Sequence, residues 1–162
     1  ASNLGKELMN KNIRKKYYAL LTGVLEKEII EIESKIEKNV KGQKMIIDEL
    51  EGKEAYTKIT VLEKYKSFSF VEIEIETGRT HQIRVHLDYI GHPVICDQKY
   101  GKGFNTKLKS LSNDCHSQLK IDRHALHSSR LSFRHPIGNK PMTFESELPD
   151  DLKLLKNMLS GI

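Results

Sequence analysis

Between residues 77 and 93 the chain reads Thr77-Gly78-Arg79-Thr80-His81-Gln82-Ile83-Arg84-Val85-His86-Leu87, then Ile90-Gly91-His92-Pro93. Guanidinium, imidazole and amide groups are gathered on one short element directly after an apolar strand, and a charged strand end of this kind faces a ligand. The chemistry on offer is anion recognition. Read as a helix over 81–90, the segment turns Ile83, Leu87 and Ile90 inward. It places Arg79, His81, Gln82 and His86 near its N-terminal end, where free N–H groups and the helix dipole favour phosphate or base contact. Zinc is excluded on geometry, because five residues at about 100° each leave the His81 and His86 rings about 140° apart. Taken alone, Arg84 reads as a surface ion pair with Asp88 at i+4, contributing a few tenths of a kcal/mol. His92-Pro93 reads as a turn that contacts no substrate.

The elements that must position these groups follow from periodicity. Leu4 and Leu8, with Lys6, Glu7 and Lys11 on other faces, predict an opening helix over 1–12, so that the chain starts inside an element. Lys15 to Leu21 is aromatic-rich, ends at Gly23 and reads as a strand. From there to about residue 53, Glu and Lys alternate around isoleucines, which predicts a solvated insertion or an edge hairpin. Ala55, Thr57, Ile59 and Val61, then Val71, Ile73 and Ile75, alternate with polar residues. They predict an antiparallel pair joined near 64–67. Phe68 and Phe70 share the parity of Glu72 and Glu74, so either a bulge shifts the register near Phe70 or that end is covered on both faces. Residues 102–120 turn to Lys, Ser, Asn, Thr and Gly and read as a loop. The stretch from Asp150 to Leu159 reads as a short amphipathic helix with Pro149 and two aspartates at its start.

At 162 residues the chain suits a single domain with its own core. Cys96 and Cys115 are the two cysteines, far apart and without a C-x-x-C, so neither a disulfide framework nor a zinc ribbon is indicated, and a reducing, cytoplasmic setting fits. No apolar run approaches the roughly 20 residues of a membrane helix. A net charge of +5 and a pI near 9.1 suit a polyanionic partner.

The Thr77 to Leu87 string, Gly91-His92-Pro93 and Asp97-Gln98-Lys99-Tyr100-Gly101 resemble the signature of the pseudouridine synthases related to the large-subunit ribosomal RNA enzymes: T-G-R-T-H-Q-I-R-V-H-L, G-H-P and D-x-x-Y-G. Lys15-Lys16-Tyr17-Tyr18-Ala19-Leu20 matches that family's K-x-Y-x-A-L strand. The later stretch from Ala125 to Pro136 resembles its L-H-A-x-x-L-x-F-x-H-P element, with Ser128 where alanine is usual. The resemblance implies an α+β fold, a largely antiparallel or mixed β-sheet with flanking helices. Residues 1–162 would form one unit, the second portion of a synthase catalytic domain.

What the resemblance implies for function is isomerisation of uridine to pseudouridine in structured RNA, ribosomal ahead of transfer RNA. The N1–C1′ bond breaks and the base rejoins through C5, without metal or redox cofactor. Arg84 takes the place of the arginine that pairs with the nucleophilic aspartate, holding it ionised. Tyr17, in preference to Tyr18 of opposite strand parity, takes the place of the tyrosine against the base. Lys15 and Lys16, with Arg79, His81, Gln82 and His86, are the expected RNA contacts. The aspartate's own H-R-L-D-x-x-T-S-G motif is absent from the chain; its expected position is upstream of Ala1, and the chain as given is expected to be inactive. A second reading is an RNA-binding module that keeps the groove without catalysis. A metal-dependent hydrolase finds no ligand spacing to support it.

Overall fold

The computed structural model describes residues 13–101, 121 and 123–161. The helix expected over 1–12 and the loop expected over 102–120 lie outside the described residues. The elements are β1 (Arg14–Thr22), β2 (Ile29–Lys38), β3 (Met45–Ile47), β4 (Lys53–Lys64), β5 (Phe68–Ile75), α1 (Gln82–Tyr89), β6 (Leu126–Arg134), β7 (Pro141–Glu145) and α2 (Asp150–Ser160). The strands form a seven-stranded sheet in the order β3-β2-β4-β5-β1-β6-β7. Every pairing is antiparallel. The fold is therefore α+β, with no parallel pairing among the described residues.

Register divides the side chains between two faces. Tyr17 lies opposite Ile73 and Ile73 opposite Ile59, while Ile59 lies opposite Ile30 on β2. These residues, with Lys15, Ala19, Thr57, Ser34 and Ile75, share the front face, which α1 covers. Lys16, Tyr18, Glu72, Glu74 and Lys58 share the back face. There Lys16 Nζ donates to Glu72 Oε1 at 2.7 Å.

Both readings of the Phe68–Phe70 parity turn out to hold, at different places. Residues 68–71 are all buried, so that end of β5 is covered on both faces. The bulge lies across from it on β4, where Val61 pairs with Val71 but Glu63 pairs with Phe70 and Leu62 is the extra residue. The back-face cover is α2. Its Leu152, Leu155 and Leu159 are buried in the same apolar cluster as Leu20, Phe68 and Phe70, and Lys156 Nζ lies 4.5 Å from the centre of the Phe70 ring.

The Glu/Lys-rich stretch is an edge hairpin, β2 followed by the short edge strand β3. Its turn is held by the Asn39 side-chain oxygen, which accepts N–H bonds from Gln43 and Lys44. The helix is shorter than its sequence pattern suggests, starting at Gln82. His81 takes a left-handed conformation with φ 55°, and Ile90 becomes the C-terminal cap, followed by Gly91 at φ 79°. His92 Nδ1 donates to the Thr22 carbonyl at 2.9 Å, tying this turn to the end of β1.

His86 is fully buried between α1 and the sheet, with Nε2 at 2.8 Å from Ser34 Oγ and Nδ1 at 2.8 Å from Thr57 Oγ1. Burial pushes its pKa down to about 4. An unfolded chain binds the proton near pH 6.5, so this contribution to stability is complete above that pH and is lost as pH falls toward 4. Urea melts should show the chain about 2 kcal/mol less stable at pH 5.0 than at 7.5 from this group alone. A His86→Gln variant, which keeps polar atoms at the joint but does not titrate, should show that much less pH dependence. Equal slopes for the two would mean that His86 titrates in the native state as it does in the unfolded chain.

Candidate active site

Two neighbouring strands and the helix that follows them set the site. On the front face of β1, Lys15 and Tyr17 project beside Ile75 of β5, and the turn through Gly78 brings α1 back over them. The approach is close at Gly78, where a Cβ would come within 2.9 Å of Lys15 Nζ, a contact that the flexible lysine could relieve by moving. The result is a cavity of about 420 Å³ whose polar lining includes Lys15, Tyr17, Arg79, His81, Arg84 and His124. This is within the size range of small-molecule sites. A larger hollow of about 710 Å³ lies over β2 and β4, lined by Glu33, Glu49, Glu54 and Glu76. Four carboxylates make it unsuited to a polyanion.

Arg84 is the best-anchored cation of the basic cavity. Its Nε donates to Asp97 Oδ2 at 2.6 Å and its Nη2 to Asp97 Oδ1 at 2.7 Å. Its Cζ lies 4.9 Å from the centre of the Tyr100 ring. Asp97 is 1% exposed, and the backbone N–H groups of Lys99 and Tyr100 both donate to its Oδ1. Burial pushes the Asp97 carboxyl up, but the Arg84 guanidinium and the two N–H bonds outweigh it and hold it below the usual carboxylate range. The Asp97 carboxylate in turn holds Arg84 firmly charged. The Tyr100 hydroxyl accepts the Met45 N–H at 3.1 Å and lies 3.0 Å from His81 Nδ1. Burial, and then the Arg84 charge, lower the pKa of both His81 and His124. Burial raises the Tyr17 phenol. At neutral pH the cavity therefore holds fixed cationic charge at Arg84 beside neutral imidazoles and a neutral phenol.

Of the eight side chains singled out in the sequence, Tyr17, Arg84, Lys15, Arg79, His81 and Gln82 line this one cavity. Lys16 does not: strand parity sends it to the back face, where Glu72 and Glu74 neutralise it. His86 does not either, because it is the buried joint between α1 and the sheet and both of its ring nitrogens are engaged. Gln82 is at the cavity wall but 2% exposed. Its Oε1 accepts from the Thr77 hydroxyl and the Arg79 N–H, and its Nε2 donates to the Tyr56 carbonyl and Thr57 Oγ1. These bonds correct the expectation that Gln82 and His86 contact RNA. They hold the helix. The helix start is likewise less open than expected, since the first helical N–H, that of Gln82, is taken by the Arg79 carbonyl.

Sequence reasoning missed Asp97, Tyr100 and His124 as members of the site. Asp97 and Tyr100 stood in the D-x-x-Y-G string without a role, and the carboxylate weighed as the partner of Arg84 was Asp88, one helical turn away. The signal for Asp97 was weak because it lies thirteen residues beyond Arg84, past the end of the helix. Nothing in the sequence singled out His124.

Comparison with known proteins gives one consistent result. The family model described as RNA pseudouridylate synthase matches residues 1–89. An uncharacterised RNA pseudouridine synthase of Bacillus subtilis is 34% identical over 157 residues, covering 96% of this chain and 48% of that protein. Ribosomal large subunit pseudouridine synthase D of Haemophilus influenzae is 34% identical over 161 residues, covering 99% of this chain and 49% of that protein. The chain thus spans about half the length of the curated relatives it matches. Among solved structures, human RNA pseudouridylate synthase domain containing 4 superposes with a TM-score of 0.74 at 23% identity, over 96% of this chain and 66% of that one. Human RNA pseudouridylate synthase domain containing 1 gives 0.70, also at 23%, over 99% and 71%. Those two likenesses establish the fold, and the sequence matches establish descent: the chain belongs to the RNA pseudouridylate synthase family.

Proposed function

We propose that the full-length protein isomerises uridine to pseudouridine in structured RNA, ribosomal RNA ahead of transfer RNA. The observation that carries this reading is the cavity in which Arg84 and Tyr17 meet, basic on one side and apolar on the other through Ile75, Ile83 and Leu126. A flipped base needs a flat apolar or aromatic surface to replace its lost stacking, and Tyr17 supplies one. A nucleophilic aspartate needs a fixed cation to stay ionised, and Arg84 is fixed. The Haemophilus relative's name supports ribosomal RNA as the substrate. The cytoplasmic setting expected from the cysteines agrees with that substrate, and among the described residues no helix is long and apolar enough to cross a membrane. Residues 1–162 act in this reading as one unit, the second portion of the catalytic domain, with Lys15 and Arg79 at the cavity rim contacting RNA phosphates.

In the full-length protein, Arg84→Lys should lower the single-turnover rate on the order of 100-fold, since lysine cannot copy the fork. RNA affinity should change less than about threefold. Lys15→Gln should do the reverse, weakening affinity and lowering the salt slope by about one unit. Lys16→Gln, on the far face, should leave both unchanged. Equal affinity losses at Arg84 and Lys15 with no loss of rate would reassign Arg84 to backbone binding and favour the non-catalytic RNA-binding module.

The 162-residue chain as given, mixed with RNA tritiated at uridine C5, should release no tritium above background. An arginine and a tyrosine cannot replace the nucleophile. Turnover by the purified chain would show that one of its own aspartates acts, and would move the site.

A further inference from the structure

We propose that Asp97 is a positioning residue of this site, holding Arg84 side-on so that the end-on edge of its guanidinium is presented to a second carboxylate in the cavity. The inference rests on the reading of Arg84 given above and names what makes that arginine competent.

A guanidinium carries five N–H groups in one plane, arranged as a side-on edge of Nε and Nη2 and an end-on edge of Nη1 and Nη2. Asp97 takes the side-on edge completely, one oxygen to each nitrogen. Among the described residues no other acceptor takes an Arg84 hydrogen, so the end-on edge keeps its full capacity while the side chain lines the cavity shared with Tyr17.

Asp97 is itself immobilised. Two successive backbone N–H groups fix its Oδ1, and the residue before it, Cys96, takes a left-handed φ of 62° that turns the chain into this bend. Tyr100, from the same bend, lies against the guanidinium and is pinned by Met45 of β3 and by His81. Edge and face of Arg84 are both constrained, leaving the group little rotational freedom. A lone arginine facing a reactive carboxylate would swing to pair with it in several geometries. One already forked by Asp97 offers a single plane and a single edge. The second carboxylate would then be oriented by hydrogen-bond geometry as well as by charge.

The test uses full-length protein and compares single-turnover tritium release and RNA affinity for wild type, Asp97→Asn, Arg84→Lys and the double variant. Asp97→Asn should slow turnover on the order of 10- to 100-fold, as expected for a misplaced reacting group, with affinity held within about threefold. The double variant should be no slower than Arg84→Lys by more than about threefold, because both changes act through one guanidinium. Wild-type rates for Arg84→Lys would overturn the reading of Arg84 itself. A slow Arg84→Lys beside a wild-type-like Asp97→Asn, or a double variant as slow as the product of the two losses, would overturn the role of Asp97 alone. Should Asp97→Asn fail to fold, nitrogen-15 NMR of the wild-type protein decides: a clamped Arg84 shows separate, slowly exchanging Nη hydrogens at neutral pH, and averaged ones overturn the proposal.

Discussion

A helix of eight residues has too little apolar surface to hold one rotation against a sheet, yet the position of Arg84 in the cavity depends on how α1 is turned. Its rotation is fixed by buried hydrogen bonds. The chain runs from Thr77 through Gln82 to Thr57, His86 and Ser34, and so links the helix to both β4 and β2. Each of these groups is costly to bury without a partner, about 1–3 kcal/mol apiece, so a helix turned by even one residue would forfeit several at once. Among the described residues no buried side-chain nitrogen or oxygen lacks a hydrogen-bond partner. This polar joint gives an otherwise weak element a single setting, and Arg84 inherits its place from it.

The second layer of constraint is electrostatic. Asp97 is buried and Arg84 partly so, and an ion pair so placed adds little net stability over an apolar replacement while losing one partner is costly. Its value lies in definition. The pair is held by a bend that contributes its backbone N–H groups, its aromatic ring and its left-handed residue together. Around it, burial keeps His81 and His124 neutral and Tyr17 protonated. The positive field in the cavity is then not diluted by groups that change charge near neutral pH.

The sheet separates these tasks by face. Lys15 and Tyr17 on the front look into the basic cavity, and their neighbours Lys16 and Tyr18 look to the back, where Glu72 and Glu74 neutralise the lysine and Phe70 packs against the tyrosine. A one-residue slip of β1 would exchange these roles. Ala19, Leu20 and Leu21, all buried near the other end of the strand, resist it. The acidic hollow over β2 and β4 lies beside this region, so an approaching polyanion is favoured at one opening and repelled at the other.

Much of the fold could be read from the order of residues because strand periodicity is local: β1, β4, β5 and α2 each carry their pattern within about ten positions. The family signature likewise put Arg84 and Tyr17 forward together, a pairing that charge and spacing alone did not suggest. Three matters needed the tertiary structure. Whether a polar residue on α1 faces ligand or core depends on what the sheet offers opposite it. Thr57 and Ser34 turned His86 into a joint, and Gln82 became a brace. Which carboxylate meets Arg84 depends on a bend thirteen residues away, beyond any helical spacing, so Asp97 replaced Asp88. Whether Lys16 can reach RNA depends on strand parity combined with glutamates from the neighbouring strand. Local sequence sets which residues can form an element and which chemistry they carry. Pairings across long separations decide which of those groups remain available to a ligand.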